Sequence, residues 1–158
     1  MIRIIAVGKM KEAWMRSGLE EYKKRLSSYE KIEVIEVDDE KAPESNSAAQ
    51  NEEIKKKEGQ KLLKKIRENE HVILLDLAGK QCTSEELAHH LDHLYTQGKS
   101  SICFVIGGSL GLSPEVIQRA DERWCLSLLT FPHQLARILL VEQIYRSFRI
   151  LKNEPYHK

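Results

Sequence analysis

Two uninterrupted apolar runs, HVILLDL at residues 71–77 and ICFVIG at 102–107, constrain the fold more than any other feature of the chain. A strand with one wet face alternates apolar and polar residues. A continuous β-branched run must be covered on both faces, the condition of a central strand in a parallel sheet. Further strands are predicted at residues 2–7, 32–37 and 124–129, with the two apolar runs contributing 72–77 and 102–106. Helical patterns fall between them at about 11–29, 50–67, 84–95, 114–120 and 132–151. This alternation predicts an α/β fold, a mostly parallel sheet with helices on both faces. Ligands on such sheets bind beyond the carboxyl ends of the strands, where residues 76–80 and 107–111 emerge.

With 158 residues, 41% apolar and 31% charged, the chain suits a single domain over residues 1–158 with one sizeable core. The longest apolar runs, 72–75 and 138–141, fall far short of the ~20 residues that span a bilayer. The first seven residues carry one arginine and too short an apolar stretch for a signal peptide. The expectation is a cytoplasmic protein with no membrane partner. Cys82, Cys103 and Cys125 are odd in number, widely spaced and without a Cys-x-x-Cys pair, which argues against a disulfide framework or a zinc site. Cys103 and Cys125 fall inside predicted strands, where a thiol serves as a small buried hydrophobe.

Net charge is only +1 but unevenly spread. Residues 1–122 hold 19 Lys and Arg against 22 Asp and Glu, whereas residues 123–158 hold six cations (Arg123, Arg137, Arg146, Arg149, Lys152, Lys158) against Glu142 and Glu154. A basic end suggests a local anionic partner, without the strongly basic footprint of many nucleic-acid binders. Residues 38–47 read as an exposed loop, and the lysine-rich helix after it as a solvated face with Ile54, Leu62, Leu63 and Ile66 inward. The last helix is different. Leu135, Ile138, Leu139, Leu140, Val141, Ile144, Tyr145 and Phe148 cover more than one stripe, and a second subunit related by a two-fold axis is the simplest cover.

Chemistry is expected in residues 102–114, where a strand runs into Gly107, Gly108 and Gly111 and then a Ser113-Pro114 helix start. Glycines there can take φ > 0 and let a ligand approach bare backbone. The loop fits Gly-x-Ser-x-Gly around Ser109, with Asp121 and His133 following in hydrolase order. A nucleophile elbow needs its serine directly before the helix, whereas this helix starts four residues later, leaving Ser109 in mid-loop. The run lacks the dinucleotide and P-loop patterns, so a loop that takes a nucleoside-like ligand by backbone contacts survives alongside the hydrolase. His89, His90 and His93 form an HHxxH on a helix without a metalloprotease glutamate, and read as an exposed face. On the last helix, Glu142 and Arg146 either pair at i,i+4 or face a substrate. The terminal NEPYHK places a tyrosine that can stack on a base beside an imidazole that can transfer a proton.

Together LLDLAGK at 74–80, VIGGSLGLS at 105–113, LSLLTFPHQLARILLVEQIYRSFRI at 126–150, PYHK at the end and KEG at 57–59 resemble the SPOUT-class methyltransferases that act on N3 of a pseudouridine in bacterial 23S rRNA. The resemblance runs essentially from end to end. It implies a deep trefoil knot in the C-terminal part, roughly residues 100–158, and S-adenosylmethionine bound in that knot at a homodimer interface. It implies cofactor contacts at Leu75, Asp76, Gly107, Gly108, Ser127, Leu128, Leu129, Thr130, Phe131 and Pro132. It implies an RNA-facing site of His133, Arg137, Glu142, Arg146, Tyr156, His157 and Lys158, part of it from the other subunit, with assembled ribosomes as substrate. Lys158 stands where some relatives place arginine, so bidentate phosphate geometry is lost there. A sulfonium methyl is already activated, so no metal is expected; His157 is the expected base, and Arg137 or Arg146 the group that grips phosphate or stabilises charge. Two alternatives stay open, a small serine hydrolase and a ribosome-binding dimer without catalysis.

Overall fold

The computed structural model describes residues 1–41 and 47–158, so residues 42–46 of the expected 38–47 loop lie outside the described residues. Five strands alternate with five helices: β1 (Ile2–Val7), α1 (Ala13–Leu26), β2 (Ile32–Val37), α2 (Ala48–Lys65), β3 (His71–Lys80), α3 (Ser84–Thr96), β4 (Ile102–Ile106), α4 (Pro114–Arg119), β5 (Glu122–Trp124) and α5 (His133–Leu151). The strands form one sheet in the order β2-β1-β4-β3-β5, and each pairing is parallel. Of the three inner strands, β1 and β4 are buried along their whole length, as continuous apolar sequence requires, and β3 is buried over Val72–Leu74.

Strand side chains alternate between two cores. Ile2, Ile4, Ile73, Ile102 and Phe104 pack with Leu19 and Leu26 of α1, Leu87 and Leu91 of α3, and Leu140 and Ile144 of α5. On the other face Ile5, Val7, Val72, Leu74, Cys103 and Val105 meet Leu62 of α2 and Val116 of α4. Fully burying each of these side chains stabilises by about 1.5–3 kcal/mol, which is why one-residue register slips are excluded. Local signals set the helix starts. Ser47 with Gln50 and Thr83 with Glu86 form capping boxes, and Ser113 caps α4 with Pro114 in its first turn, as the Ser-Pro pair predicts.

Two segments depart from the sequence expectation. β3 runs on to Lys80, and Trp124 of β5 pairs with both Leu75 and Lys80, so the residues between them bulge out of the ladder beyond the carboxyl end of the sheet. Gly79 is required there, since a Cβ would stand 2.6 Å from backbone atoms of Arg123 and Trp124. The strand expected at 124–129 ends at Trp124 instead. After Cys125 N–H donates to Lys80 O (2.8 Å), Ser127 Oγ takes the Leu129 N–H (3.0 Å), and these local bonds replace the ladder. Cys125 is buried all the same, and Cys103 lies inside β4 as expected. No helix among the described residues is long and apolar enough to cross a membrane.

On α5, Leu140, Val141, Ile144 and Tyr145 are buried, while Leu135, Ile138, Leu139 and Phe148 are only half covered. His89 and His93 are exposed on α3 as read; His90 is not idle, holding Glu122 at 2.7 Å and packing on Trp124.

Candidate active site

Beyond the carboxyl ends of β3 and β4 lies a cleft of about 590 Å³. Its walls include Leu75, Asp76, Gly107, Gly108, Ser127, Leu129, Thr130, Phe131, Pro132 and His133, three stretches distant in sequence and brought together because β3 lies between β4 and β5 in the sheet. Leu128 is the exception among the expected cofactor contacts, 73% exposed and absent from the wall. Leu112, Cys125 and Leu126 line the cleft without having been expected there. Asp76, on the β3 bulge, is held by the Arg123 guanidinium and accepts the Ala78 N–H at 3.2 Å. A second, apolar pocket of about 290 Å³ shares Leu75, Leu126, Ser127 and Phe131 with the cleft and extends to Ser84 and Gln143.

The glycine loop works differently from its expectation. Of the three glycines only Gly111 has a left-handed backbone (φ 92°), closing a turn in which its N–H donates to Gly108 O at 3.1 Å. Gly107 and Gly108 have no positive φ; they are glycines because the molecule itself crowds them. A Cβ on Gly107 would stand 2.9 Å from Leu112, and one on Gly108 would stand 2.8 Å from the Glu58 carboxylate. Both still line the cleft with backbone alone. Ser109 is exposed on the loop, while Asp121 is at the opposite end of the sheet accepting the Val72 N–H (2.7 Å), so the hydrolase triad does not assemble.

α5 carries the remaining expected residues, in two groups. At its start, half-buried His133 faces the cleft and packs on Gly8, whose φ of 92° turns the chain out of β1. Burial, and then the nearby Arg137 charge, hold the His133 imidazole below its ordinary pKa. Arg137 was expected to face RNA and does not. It is fully buried, donating to Glu36 (2.7 Å), Val7 O (2.8 Å) and Gly8 O (2.7 Å), so its guanidinium ties the ends of β1 and β2 to α5. The reason is geometric: one turn past His133 its position faces the sheet, and Glu36 supplies the charge that makes burial tolerable.

The second group gathers around the chain end. Glu142 and Arg146 pair at i,i+4 (2.5 Å), as the helical spacing allows, and both are also engaged by the tail. Tyr156 donates to Glu142 (3.0 Å), and the Arg146 guanidinium lies 4.6 Å from the Tyr156 ring centre. Burial, and then the bond to Glu142, push the Tyr156 hydroxyl up to about 12. His157 lies between Arg146 (Nδ1, 3.2 Å) and Glu85 (Nε2, 2.6 Å). With Arg146 as donor, the partners assign a neutral ring carrying its proton on Nε2. Lys158 is exposed at the end. The tail is anchored by Arg149, which holds Glu154, Tyr29 and the Pro155 carbonyl. From this cluster, Gln143 bridges Glu142 (2.8 Å) to Ser84 (2.7 Å) at the wall of the apolar pocket.

The basic C-terminal segment is therefore not an open basic face, since Arg123, Arg137, Arg146 and Arg149 each meet a carboxylate. Glu36, Glu85 and Arg123 engage residues expected at the site (Arg137, His157 and Asp76) and were not themselves expected there. Their partners lie too far away in sequence for spacing to reveal them.

The chain matches, over residues 1–157, the family model described as "Predicted SPOUT methyltransferase". It is 57% identical over 157 residues to the ribosomal RNA large subunit methyltransferase H of Bacillus pumilus (strain SAFR-032), covering 99% of each chain. The protein of that name from Clostridium perfringens (strain 13 / Type A) is 54% identical over 157 residues, again with 99% of each chain covered. Among solved structures, a probable methylase family protein from Haemophilus influenzae Rd KW20 has a similar fold, with a TM-score of 0.51 at 16% identity over 96% of this chain and 66% of that one. An end-to-end family match, high identity at full length and a parallel sheet with its cleft at the carboxyl ends of the strands agree: the chain belongs to the SPOUT methyltransferase family.

Proposed function

We propose that this protein transfers a methyl group from S-adenosylmethionine to N3 of a pseudouridine in 23S rRNA, within assembled ribosomes in the cytoplasm. The observation that carries the reading is full-length identity of 54–57% to enzymes named for methylating the ribosomal RNA large subunit. In this reading one domain acts as a homodimer whose residues from about 100 to 158 form a deep trefoil knot. The close approach of the β3 extension to Arg123 and Trp124, which Gly79 permits, is consistent with such threading.

The residues present fit the cofactor. The cleft falls within the roughly 300–1,000 Å³ of small-molecule sites, and Leu75, Leu112 and Phe131 offer apolar walls for a purine. Backbone polar groups of Gly107, Gly108, Ser127 and Leu129 offer hydrogen bonds to its edges and to a ribose. When bound there, S-adenosylmethionine supplies an electrophilic sulfonium methyl. The work left to the protein is to bind the base, orient N3 and take its proton. His157 is the proton acceptor, through Nδ1 once Arg146 turns toward an RNA phosphate, and Glu85 on Nε2 stabilises the imidazolium that forms. Tyr156 stacks with the base, and His133 and Lys158 contact the RNA.

Spacing along α5 supports a dimer. His133 and Arg146 are thirteen residues apart on one helix, about 20 Å at 1.5 Å per residue. One chain therefore does not bring its own tail cluster to its own His133, whereas a two-fold copy can bring the partner's tail to the cleft. Exposed Trp14 (62%), Leu77 (60%) and Leu129 (70%), with the half-covered face of α5, provide apolar surface for the contact. The test is methyl transfer from labelled cofactor to ribosomes lacking the modification, to isolated large subunits and to free 23S rRNA, with the product nucleoside identified by mass spectrometry. Label at N3 of pseudouridine on ribosomes is expected. Transfer to no RNA, or a product other than an N3-methylated pseudouridine, overturns the reading.

A further inference from the structure

The buried stripe of α2 has a charged step in it. Glu58 and Leu62 follow at i,i+4 spacing, with Gly59 the other buried residue of α2, and Glu58 is only 5% exposed. A carboxyl is an expensive group for such a position and demands a partner. One oxygen has it, accepting the Glu40 N–H at 3.0 Å from the segment that follows β2. The other lies behind Gly108, 2.8 Å from where a Cβ would be, and Val7 closes the same space at 3.2 Å. Glu58 thus fills the room left by the missing Gly108 side chain, while Gly108 lines the cleft. The next residue repeats the device, since a Cβ on Gly59 would overlap Ser113, the cap of α4 that ends the glycine loop. α2 is therefore packed against both ends of the loop.

We propose that Glu58 is a positioning residue for the cofactor site, bracing Gly108 from behind and tying it to the segment after β2 through the Glu40 amide. The groups around it agree. Burial holds the Glu58 carboxyl above its ordinary range, and Asp39 and Glu40 reinforce this, opposed by the Glu40 amide bond and by Lys61. Lys61 is itself engaged by Glu40 (2.8 Å) and by Asp38 O (3.0 Å). A neutral glutamine can replace such a carboxyl; a leucine of similar size can fill the stripe but cannot accept the Glu40 N–H.

The proposal rests on the cofactor reading of the cleft, and steady-state kinetics on ribosomes with calorimetry of S-adenosylhomocysteine binding separate the two. Glu58→Leu and Glu58→Ala are expected to raise KM for the cofactor about tenfold, as loss of a buried hydrogen bond does. Turnover at saturating cofactor should stay within about twofold, and Glu58→Gln should restore KM. A stability role alone would move melting temperature and leave KM in place. Wild-type KM in either folded apolar variant, or a glutamine variant as weak as leucine, overturns the role of Glu58. Wild-type protein that binds no S-adenosylhomocysteine overturns the cofactor reading itself.

Discussion

Arg137 and Arg146 stand nine residues apart on one helix, and the two halves of α5 they represent have opposite characters. In the first half the guanidinium is wholly inside the protein, spent on Glu36 and two backbone carbonyls. In the second half Arg146 is part exposed, shared between Glu142 and the tail residues Tyr156 and His157. The same side chain serves as a brace where it is desolvated and as an adaptable cation where water reaches it. The difference teaches that an arginine near a cleft is not thereby a substrate contact; its burial decides.

The largest expected effect breaks the brace. Arg137→Ala empties a fully buried position and leaves the Val7 and Gly8 carbonyls without this donor, whereas exposed Glu36 keeps the Met10 N–H, and a loss of about 3 kcal/mol is expected in urea unfolding. Unfolding unchanged within about 1 kcal/mol would end the distinction between the two halves. Next, His157→Ala should lower turnover on ribosomes about a hundredfold, about 2.7 kcal/mol of barrier, with melting temperature and cofactor affinity near wild type. Wild-type turnover would remove His157 from the mechanism. Tyr156→Phe keeps the ring against Arg146 and loses the bond to Glu142, so a cost of about 1 kcal/mol, seen as a several-fold weaker turnover, is expected.

The smallest effect is a pH dependence confined to the first half. The native fold resists protonation of His133, whose pKa is held below the ordinary 6.5 by burial and by Arg137. The unfolded chain then binds the proton more readily, so stability is full above pH 6.5, falls as pH drops below it and levels off under the native pKa. His133→Gln should flatten that limb of the stability profile, measured by urea midpoints in steps of pH. An unchanged slope would show that His133 does not titrate differently in the fold.

Much of the fold is legible along the chain. Strands β1, β2 and β4 have the boundaries that their sequence predicts, β1 and β4 because a strand buried on both faces leaves no alternative pattern and β2, at the sheet edge, because IEVIEV is bounded by polar residues. Residues 125–129 after β5 read as strand in the sequence and are not, since apolar residues that wall a cleft look like apolar residues that fill a sheet. Of the three stretches of the cleft, the loop after β4 could be singled out by glycine content and the other two by family resemblance. Their purpose could not: Gly107 and Gly108 are small because Leu112 and Glu58 press on them, contacts that no local pattern announces.

By itself the sequence determined an α/β fold with a parallel sheet, the position of a cleft beyond its carboxyl ends and membership in a methyltransferase family. These follow from periodicity and from motifs, which are local. Tertiary structure alone decided which charges are braces and which remain available. Glu36 is 101 residues from Arg137 and Glu85 is 72 residues from His157, so the burial and pairing that set their roles exist only once the chain has closed those distances. Desolvation is a property of the packed molecule, and it assigns to each ionisable side chain work that its position in the sequence does not.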